Sequence, residues 1–292
     1  MKYLKLFTIT ALSAFLGCNS QADQADAYGN FEAIEVLVSA ESQGRILSFE
    51  PMEGTSLEKD EVVAVIDTLQ LHLNKLQLAS GEASLNAKIH TLDAQAGASH
   101  VQLKNLEREK QRIDNLVEGG AATSKQQDDM KGQIELLKAQ IIALESQKAS
   151  VNAERSTLKV QIRQVEDRIQ KGMVRNPMKG ILLTKYKEKG EITAPGQSLY
   201  KMADLDELIL RAYVSGNQLS EIKTGKAVRV RFDVPGGMDE TGGVVSWISP
   251  MAEFTPKIIQ TKEERVNLVY AIKVVVSNDG SLKIGMPGEV FF

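Results

Sequence analysis

Side chains able to do bond chemistry are few in this chain and lie apart from one another. The one cysteine, Cys18, excludes an intramolecular disulfide. The three histidines, His72, His90 and His100, are the natural metal ligands, yet none stands three, four or seven residues from another. They therefore do not converge on one ligating face of a helix. The methionines are scattered rather than clustered, which gives no support to a copper-handling thioether site. No Gly-x-x-x-x-Gly-Lys-Ser/Thr phosphate loop, no Gly-x-Ser-x-Gly nucleophile elbow, no cysteine pair and no zinc-binding helix motif occurs. The expectation is a protein with no catalytic residues, no metal and no cofactor. With 35 basic and 38 acidic residues and a formal net charge of −3, the chain also lacks the basic footprint of a nucleic-acid binder.

The regularity of the sequence is structural instead. Leu71, Leu78, Leu85, Leu92, Leu106 and Ile113 recur at seven-residue intervals, with Ser99 the one polar break, and Ile89, Ala96, Leu103 and Val117 run beside them. A second stretch repeats the pattern with Met130, Leu137, Leu144, Val151, Leu158 and Val165, flanked by Ile134, Ile141, Ile162 and Ile169. Paired apolar tracks at a 3.5-residue average are the seam of a left-handed coiled coil. Only Glu118-Gly-Gly-Ala-Ala-Thr123 separates the two stretches, so the arms, Leu69–Val117 and Ser124–Gly172, must fold back antiparallel. Each spans about 70 Å at 1.5 Å per residue. Gln-, Lys- and Glu-rich positions on the arms read as an ordinary coiled-coil exterior.

Around the hairpin the pattern changes to short strands. Val36–Val38, Arg45–Leu47 and Val62–Ile66 precede it, and strand chemistry resumes at Asn176. The two flanks repeat one another. Gly44-Arg-Ile-Leu corresponds to Gly180-Ile-Leu-Leu, Gly54 corresponds to Gly190, and each flank closes on an apolar run ending in aspartate. A repeat split by an insertion reads as two halves of one small β-domain, joined by the hairpin's return, with the glycines marking turns or positive φ. From Leu205 onward, Val228–Phe232, Val244–Ile248, Ala271–Val276 and Glu289–Phe292 are strand-like runs. The turn signals between them are Pro235-Gly-Gly237, Gly242-Gly243, Asn278-Asp-Gly280 and Pro287-Gly288. They predict a small antiparallel barrel or sandwich.

At the N-terminus, Lys2 and Lys5 precede an apolar run from Leu6 to Gly17, the form of a secretory signal and short for a membrane span. Phe15-Leu-Gly-Cys18 resembles the lipobox of bacterial lipoproteins, which implies cleavage before Cys18 and acylation of that residue. An ordinary signal peptide with an incidental cysteine, or an uncleaved anchor, is the alternative. Asn19–Ala27 reads as a flexible tether.

Taken together, two lipoyl-like half-motifs around a coiled-coil hairpin resemble the HlyD-type periplasmic adaptor, or membrane fusion protein, family. Asn176–Ile181, Gly190-Glu191, Pro195-Gly-Gln197 and Ala203-Asp-Leu205 carry the likeness in the second half. Leu208–Val214 is similar to the first strand of the adaptor barrel, and Gly285–Gly288 to the lead into its last strand. The stretch from Glu253 through Glu263-Glu-Arg265 to Tyr270 resembles the branch paired with ABC-type exporters. The resemblance implies an α+β, elongated, multidomain chain: an antiparallel coiled-coil α-hairpin inserted in a split lipoyl-like β-domain, followed by a small antiparallel β-barrel. The boundaries expected are 1–18 for signal and lipobox, 19–30 for the tether and 31–67 for the N-terminal strand and first lipoyl-like half. The hairpin takes 68–173, the second half 174–204 and the barrel 205–292. True lipoyl and biotinyl domains present an acceptor lysine between their halves. Here no Met-Lys-Met or Asp-Lys-Ala lies between Asp67 and Arg175.

The family's tip motif is arginine, then leucine four residues on, then serine seven further. Arg112, Leu116 and Thr123 stand at that spacing, with threonine for serine. By resemblance, these residues dock on a TolC-type outer-membrane channel, while the barrel sits near an inner-membrane exporter, ABC-type favoured. The chain is then lipid-anchored in the periplasm, at the inner membrane, and assembles as a homo-oligomeric ring, commonly a hexamer. From the residues alone, Arg112 is an exposed helix residue, Leu116 closes the seam, and Thr123 caps the second arm in a capping box with Gln126. Two other functions remain open: an envelope lipoprotein using the coiled coil as a spacer, and a carrier subunit of a biotin- or lipoate-dependent enzyme.

Overall fold

The computed structural model describes residues 25–254 and 268–292. Cys18 and most of the exporter-branch segment lie outside them. Strands β1 (Ala27–Glu32), β2 (Glu35–Ser39), β3 (Gly44–Phe49), β4 (Ser56–Leu57) and β5 (Val62–Ile66) precede two long helices, α1 (Leu69–Glu118) and α2 (Ser124–Gln170). β6 (Met173–Arg175), β7 (Gly180–Lys185), β8 (Ile192–Thr193) and β9 (Ser198–Ala203) follow the helices. β10 (Glu207–Ser215), β11 (Ala227–Val234), β12 (Gly237–Ile248), β13 (Glu253–Phe254), β14 (Leu268–Ser277) and β15 (Pro287–Phe291) complete the strands. The described residues form two compact units, one of Leu37–Lys201 and one joining residues 25–36 to Met202–Phe292.

In the first unit α1 and α2 pair along the heptad seam. Every apolar residue of the two sequence tracks is buried or half-buried, with Ile89, Leu92, Ile134, Leu137, Ile141, Val151 and Val165 fully so. Heptad-spaced polar pairs cross between the arms: Lys75–Glu166 at 2.8 Å, Glu82–Lys159 at 3.5 Å, Asn86–Arg155 at 2.9 Å, Asp93–Lys148, and Glu107–Lys138 at 3.5 Å. Exposed pairs of this kind add little stability, but opposite charges at matched heights fix the antiparallel register.

The β-part of this unit is built from two halves that exchange turns. Ile46 N–H donates to Glu191 O and Gly190 N–H to Ile46 O, both at 2.8 Å. In the mirror relation, Leu182 N–H donates to Thr55 O and Gly54 N–H to Leu182 O, at 3.0 and 2.8 Å. The same correspondence holds one turn later. Asp60, at φ 65°, occupies the place of Gly196, at φ 85°. Two four-stranded sheets, β2-β9-β7-β4 and β6-β5-β3-β8, enclose Ile46, Phe49, Leu57, Ile66, Leu182, Leu199 and Tyr200. At the hairpin root a Cβ on Gly172 would lie 2.4 Å from Thr68 Cγ2, and Gly172 O accepts from Ile66 N–H at 2.8 Å. Only a glycine lets the returning arm close this tightly.

The second unit is a closed six-stranded antiparallel barrel in the order β10-β1-β15-β11-β12-β14, with β14 pairing back to β10 and β13 beside β14. Closure removes free sheet edges. Alternate residues of β10, Leu208, Leu210, Ala212 and Val214, point into the core against Val230, Val245, Val274, Val276 and Val290. Three findings depart from the sequence expectation, the first being that Pro287-Gly288, expected at a turn, opens strand β15 and pairs with β1. Ala27–Asn30, expected in the tether, belongs to β1, and β1 belongs to the barrel rather than to the first lipoyl-like half. It pairs with β10 and β15 and buries Phe31 edge-on against Phe232 at 6.3 Å. Gly242-Gly243, expected at a turn, lies inside the twelve-residue strand β12. There a Cβ on Gly243 would sit 2.5 Å from Val274 Cγ1 and 3.2 Å from both Val230 and Val276. This glycine serves close packing rather than chain reversal.

Candidate functional site: the hairpin tip

The tip follows from local rules. α1 stops where Gly119-Gly120 removes side chains, with Gly120 at φ 75°, and Ala121 N–H returns to Leu116 O at 2.8 Å. α2 starts on a complete capping box. Thr123 Oγ1 accepts from Gln126 N–H at 3.3 Å while Gln126 Oε1 accepts from Thr123 N–H at 2.9 Å. Just behind the turn, Asp114 accepts from Lys110 at 2.6 Å within α1 and from Gln127 Nε2 at 2.8 Å across the arms. The Lys110 and Gln127 hydrogen bonds hold the Asp114 carboxyl below the usual carboxylate range. Ile113 and Val117, half-buried, close the seam at this end.

The three sequence-predicted tip residues are all exposed. Leu116 is 49% exposed, so it presents its side chain to solvent instead of closing the seam. Arg112, four residues earlier on the same helix face, holds a 3.1 Å ion pair to Glu109 of its own helix. Thr123 stands across the turn, and its hydroxyl also donates to Gln126 Oε1 at 3.1 Å. The capping role is therefore filled. The tip can offer an apolar side chain beside a guanidinium on a rigid support, which suits burial in a partner's groove with hydrogen bonds at its rim.

The half-motif glycines divide by role. Gly54 and Gly190 occupy positive φ, at 87° and 94°, with open space around them. Gly44 and Gly180 instead lie in strands: a Cβ on Gly44 would meet Asp67 O at 2.4 Å, and Gly180 is buried opposite Leu57. Asn176 is the functional-looking residue that the sequence leaves without a role. Fully buried, it accepts from Tyr200 OH at 2.9 Å and donates through Nδ2 to Glu58 O at 3.1 Å and to Met178 O. Its backbone accepts from Asp60 N–H and donates to Glu61 O. Asn176 thus staples the second half to the first half's turn, and burial pushes the Tyr200 phenol well up. The three histidines all lie exposed on α1, and no group of three or more metal-ligating side chains is found among the described residues. No described helix is long and apolar enough to cross a membrane.

Among solved structures, a membrane fusion protein from Streptococcus pneumoniae R6 superposes with a TM-score of 0.61 over 90% of this chain and 96% of its own, at 13% identity. MacA from Actinobacillus actinomycetemcomitans gives 0.57 over 90% of this chain and 76% of its own, at 17% identity. This chain has the membrane fusion protein fold. No family model matches the sequence. A UPF0194 membrane protein of Yersinia pseudotuberculosis is 36% identical over 118 residues, which is 40% of this chain and 35% of that relative. The UPF0194 membrane protein YbhG of Salmonella gallinarum is 34% identical over 118 residues, with the same shares. The chain thus spans only about a third of the length of the curated relatives it matches (35%).

Proposed function

We propose that this chain is a periplasmic adaptor of a tripartite efflux system, without enzymatic activity of its own. It joins an inner-membrane exporter of the ABC type to a TolC-type outer-membrane channel, is anchored by acylated Cys18 after removal of residues 1–17, and works as a ring of six. The observation that carries this reading is the hairpin: a long coiled coil, registered by cross-arm pairs and capped at its tip, that presents exposed Leu116 and Arg112. A rigid arm ending in an apolar anchor and a guanidinium suits docking. It coordinates no reaction. The β-halves resemble a carrier domain, yet the chain between β5 and β6 is taken up by the arms, where such a domain would carry its acceptor lysine.

Crosslinking in cells tests the docking. Cysteines replace Leu116 or Thr123 in a Cys18→Ser chain with a substituted membrane anchor. Adducts with an outer-membrane channel from these positions, and none from a cysteine at exposed mid-arm Gln102, are expected. An exported, folded chain that gives no channel adduct from either tip position would refute the docking and favour a spacer role.

A further inference from the structure

The β11–β12 hairpin of the barrel runs past the start of β15. β15 pairs with β11 as far as Gly288 opposite Phe232, and Pro287 before it has no N–H to extend the ladder. β11 and β12 stay paired beyond that level, to Val234 opposite Gly237. Beside this step a cleft of about 530 Å³ opens on the outer wall of the barrel. That volume falls in the range of small-molecule sites, roughly 300–1,000 Å³. Its floor is bare backbone, the paired Gly29 and Gly288 of β1 and β15. Outward side chains alternate along each strand, so two cross-strand rows form the walls. One row is Tyr213, Tyr28, Glu289 and Arg231, in register across β10, β1, β15 and β11. The other ends on Asp233 and Met238, opposite one another across the hairpin.

The charges in the cleft do not cancel. Arg231 is answered by Glu289 at 3.8 Å and lies over the Phe291 ring at 4.3 Å. The Asp233 side chain has no hydrogen bond or ion pair among the described residues, so the cleft keeps one negative charge. Its apolar walls are a π-face and a thioether. Tyr213 already carries the Arg211 guanidinium at 5.9 Å, and Arg211 is held in turn by Glu253 at 3.0 Å. Tyr28, more than half exposed, keeps its ring open, and Met238 stands exposed at the far end. We propose that this cleft binds a flat aromatic cation, its ring between Tyr28 and Met238 and its charge toward Asp233. The negative face of the tyrosine ring attracts a cation, and the polarisable thioether suits an aromatic edge. An anion would meet the carboxylates of Asp233 and Glu289. A neutral ring would bury Asp233 without a partner. The site lies wholly within the barrel unit and does not rest on the adaptor reading.

The test uses the chain from residue 18 onward, with Cys18→Ser so that it is purified without lipid, and ethidium as the probe, read by fluorescence anisotropy. Saturable binding is expected, with the anionic dye fluorescein neither binding nor competing. Tyr28→Ala should weaken ethidium binding about tenfold and Asp233→Asn about fivefold. Tyr186→Ala, which removes an exposed tyrosine of the other unit, should leave the affinity unchanged. Trp247 fluorescence during urea unfolding checks that each variant barrel folds as the parent does, and Asp233→Asn, on an exposed side chain, carries the test if Tyr28→Ala does not fold. Equal ethidium affinity in the parent and the folded cleft variants, equal binding of fluorescein, or no saturable binding below about 1 mM would each overturn the proposal. A chain that gives channel adducts from Leu116 yet no saturable ethidium binding would keep the adaptor reading and refute this site.

Discussion

Replacing Gly243 with alanine places a methyl group inside the barrel wall, 2.5 Å from Val274 Cγ1 and 3.2 Å from Val230 and Val276. Carbon atoms in contact prefer about 3.5–4.0 Å, so about 1 Å of intrusion must be absorbed by neighbours. Those neighbours are valines, stiff at χ1, on strands closed into a barrel, so they cannot swing aside. Overpacking of this kind costs about 1–3 kcal/mol. With a urea slope of about 2 kcal/mol/M, the barrel midpoint should fall by about 1 M. The assay is built into the chain, since the one tryptophan, Trp247, lies on the same strand and its fluorescence reports this unit. Gly242→Ala is the matched control, because nothing lies within 4 Å of the Cβ it would add. It should leave the midpoint within about 0.3 M. Equal effects of the two substitutions would refute the packing argument and return Gly242-Gly243 to a flexible turn.

Three further outcomes follow from the first unit. Asp60→Gly should raise its stability by about 0.5–1 kcal/mol, and Gly196→Ala should lower it by about 1–2 kcal/mol, because both positions hold a left-handed backbone; urea unfolding followed by far-ultraviolet circular dichroism measures both. Thr193→Val should stabilise by about 1 kcal/mol in the same assay, since the Thr193 hydroxyl is buried without a hydrogen-bond partner among the described residues. Asp114, depressed by its Lys110 and Gln127 hydrogen bonds, supports the tip fully above the ordinary carboxylate value near 4 and loses that support as pH falls through its own lower value. Amide protection at the tip, measured relative to the intrinsic exchange rate at each pH, should therefore fall on acidification below about pH 4, and Asp114→Asn should abolish that dependence.

The hairpin was legible because a two-helix seam buries one side chain every three or four residues, and each track from Leu71 to Ile169 carries that rhythm in plain residue types. The split repeat was legible for a related reason: both halves solve the same turn problem with Gly54 and Gly190. What escaped depends on partners remote in sequence. Asn176 reads as a loop residue until Glu58 and Tyr200 are brought to it by the fold. Gly243 has the composition of a turn and the surroundings of a core strand. The short run Ala27-Tyr-Gly-Asn30 has no strand signal of its own, since its pairing is supplied by β10 and β15. At the tip, the Thr123 cap could be read from Gln126 three residues on. The exposure of Leu116 could not, because an apolar residue one position from the seam looks like part of it.

The adaptor account is tested most directly by isolating the tagged full chain from crosslinked cell envelopes and identifying what accompanies it. A single complex containing both an inner-membrane exporter and an outer-membrane channel, with the channel lost on Leu116→Glu and the exporter retained, is the predicted result. A folded, envelope-located chain recovered with neither partner, or with both partners unaffected by Leu116→Glu, would contradict it.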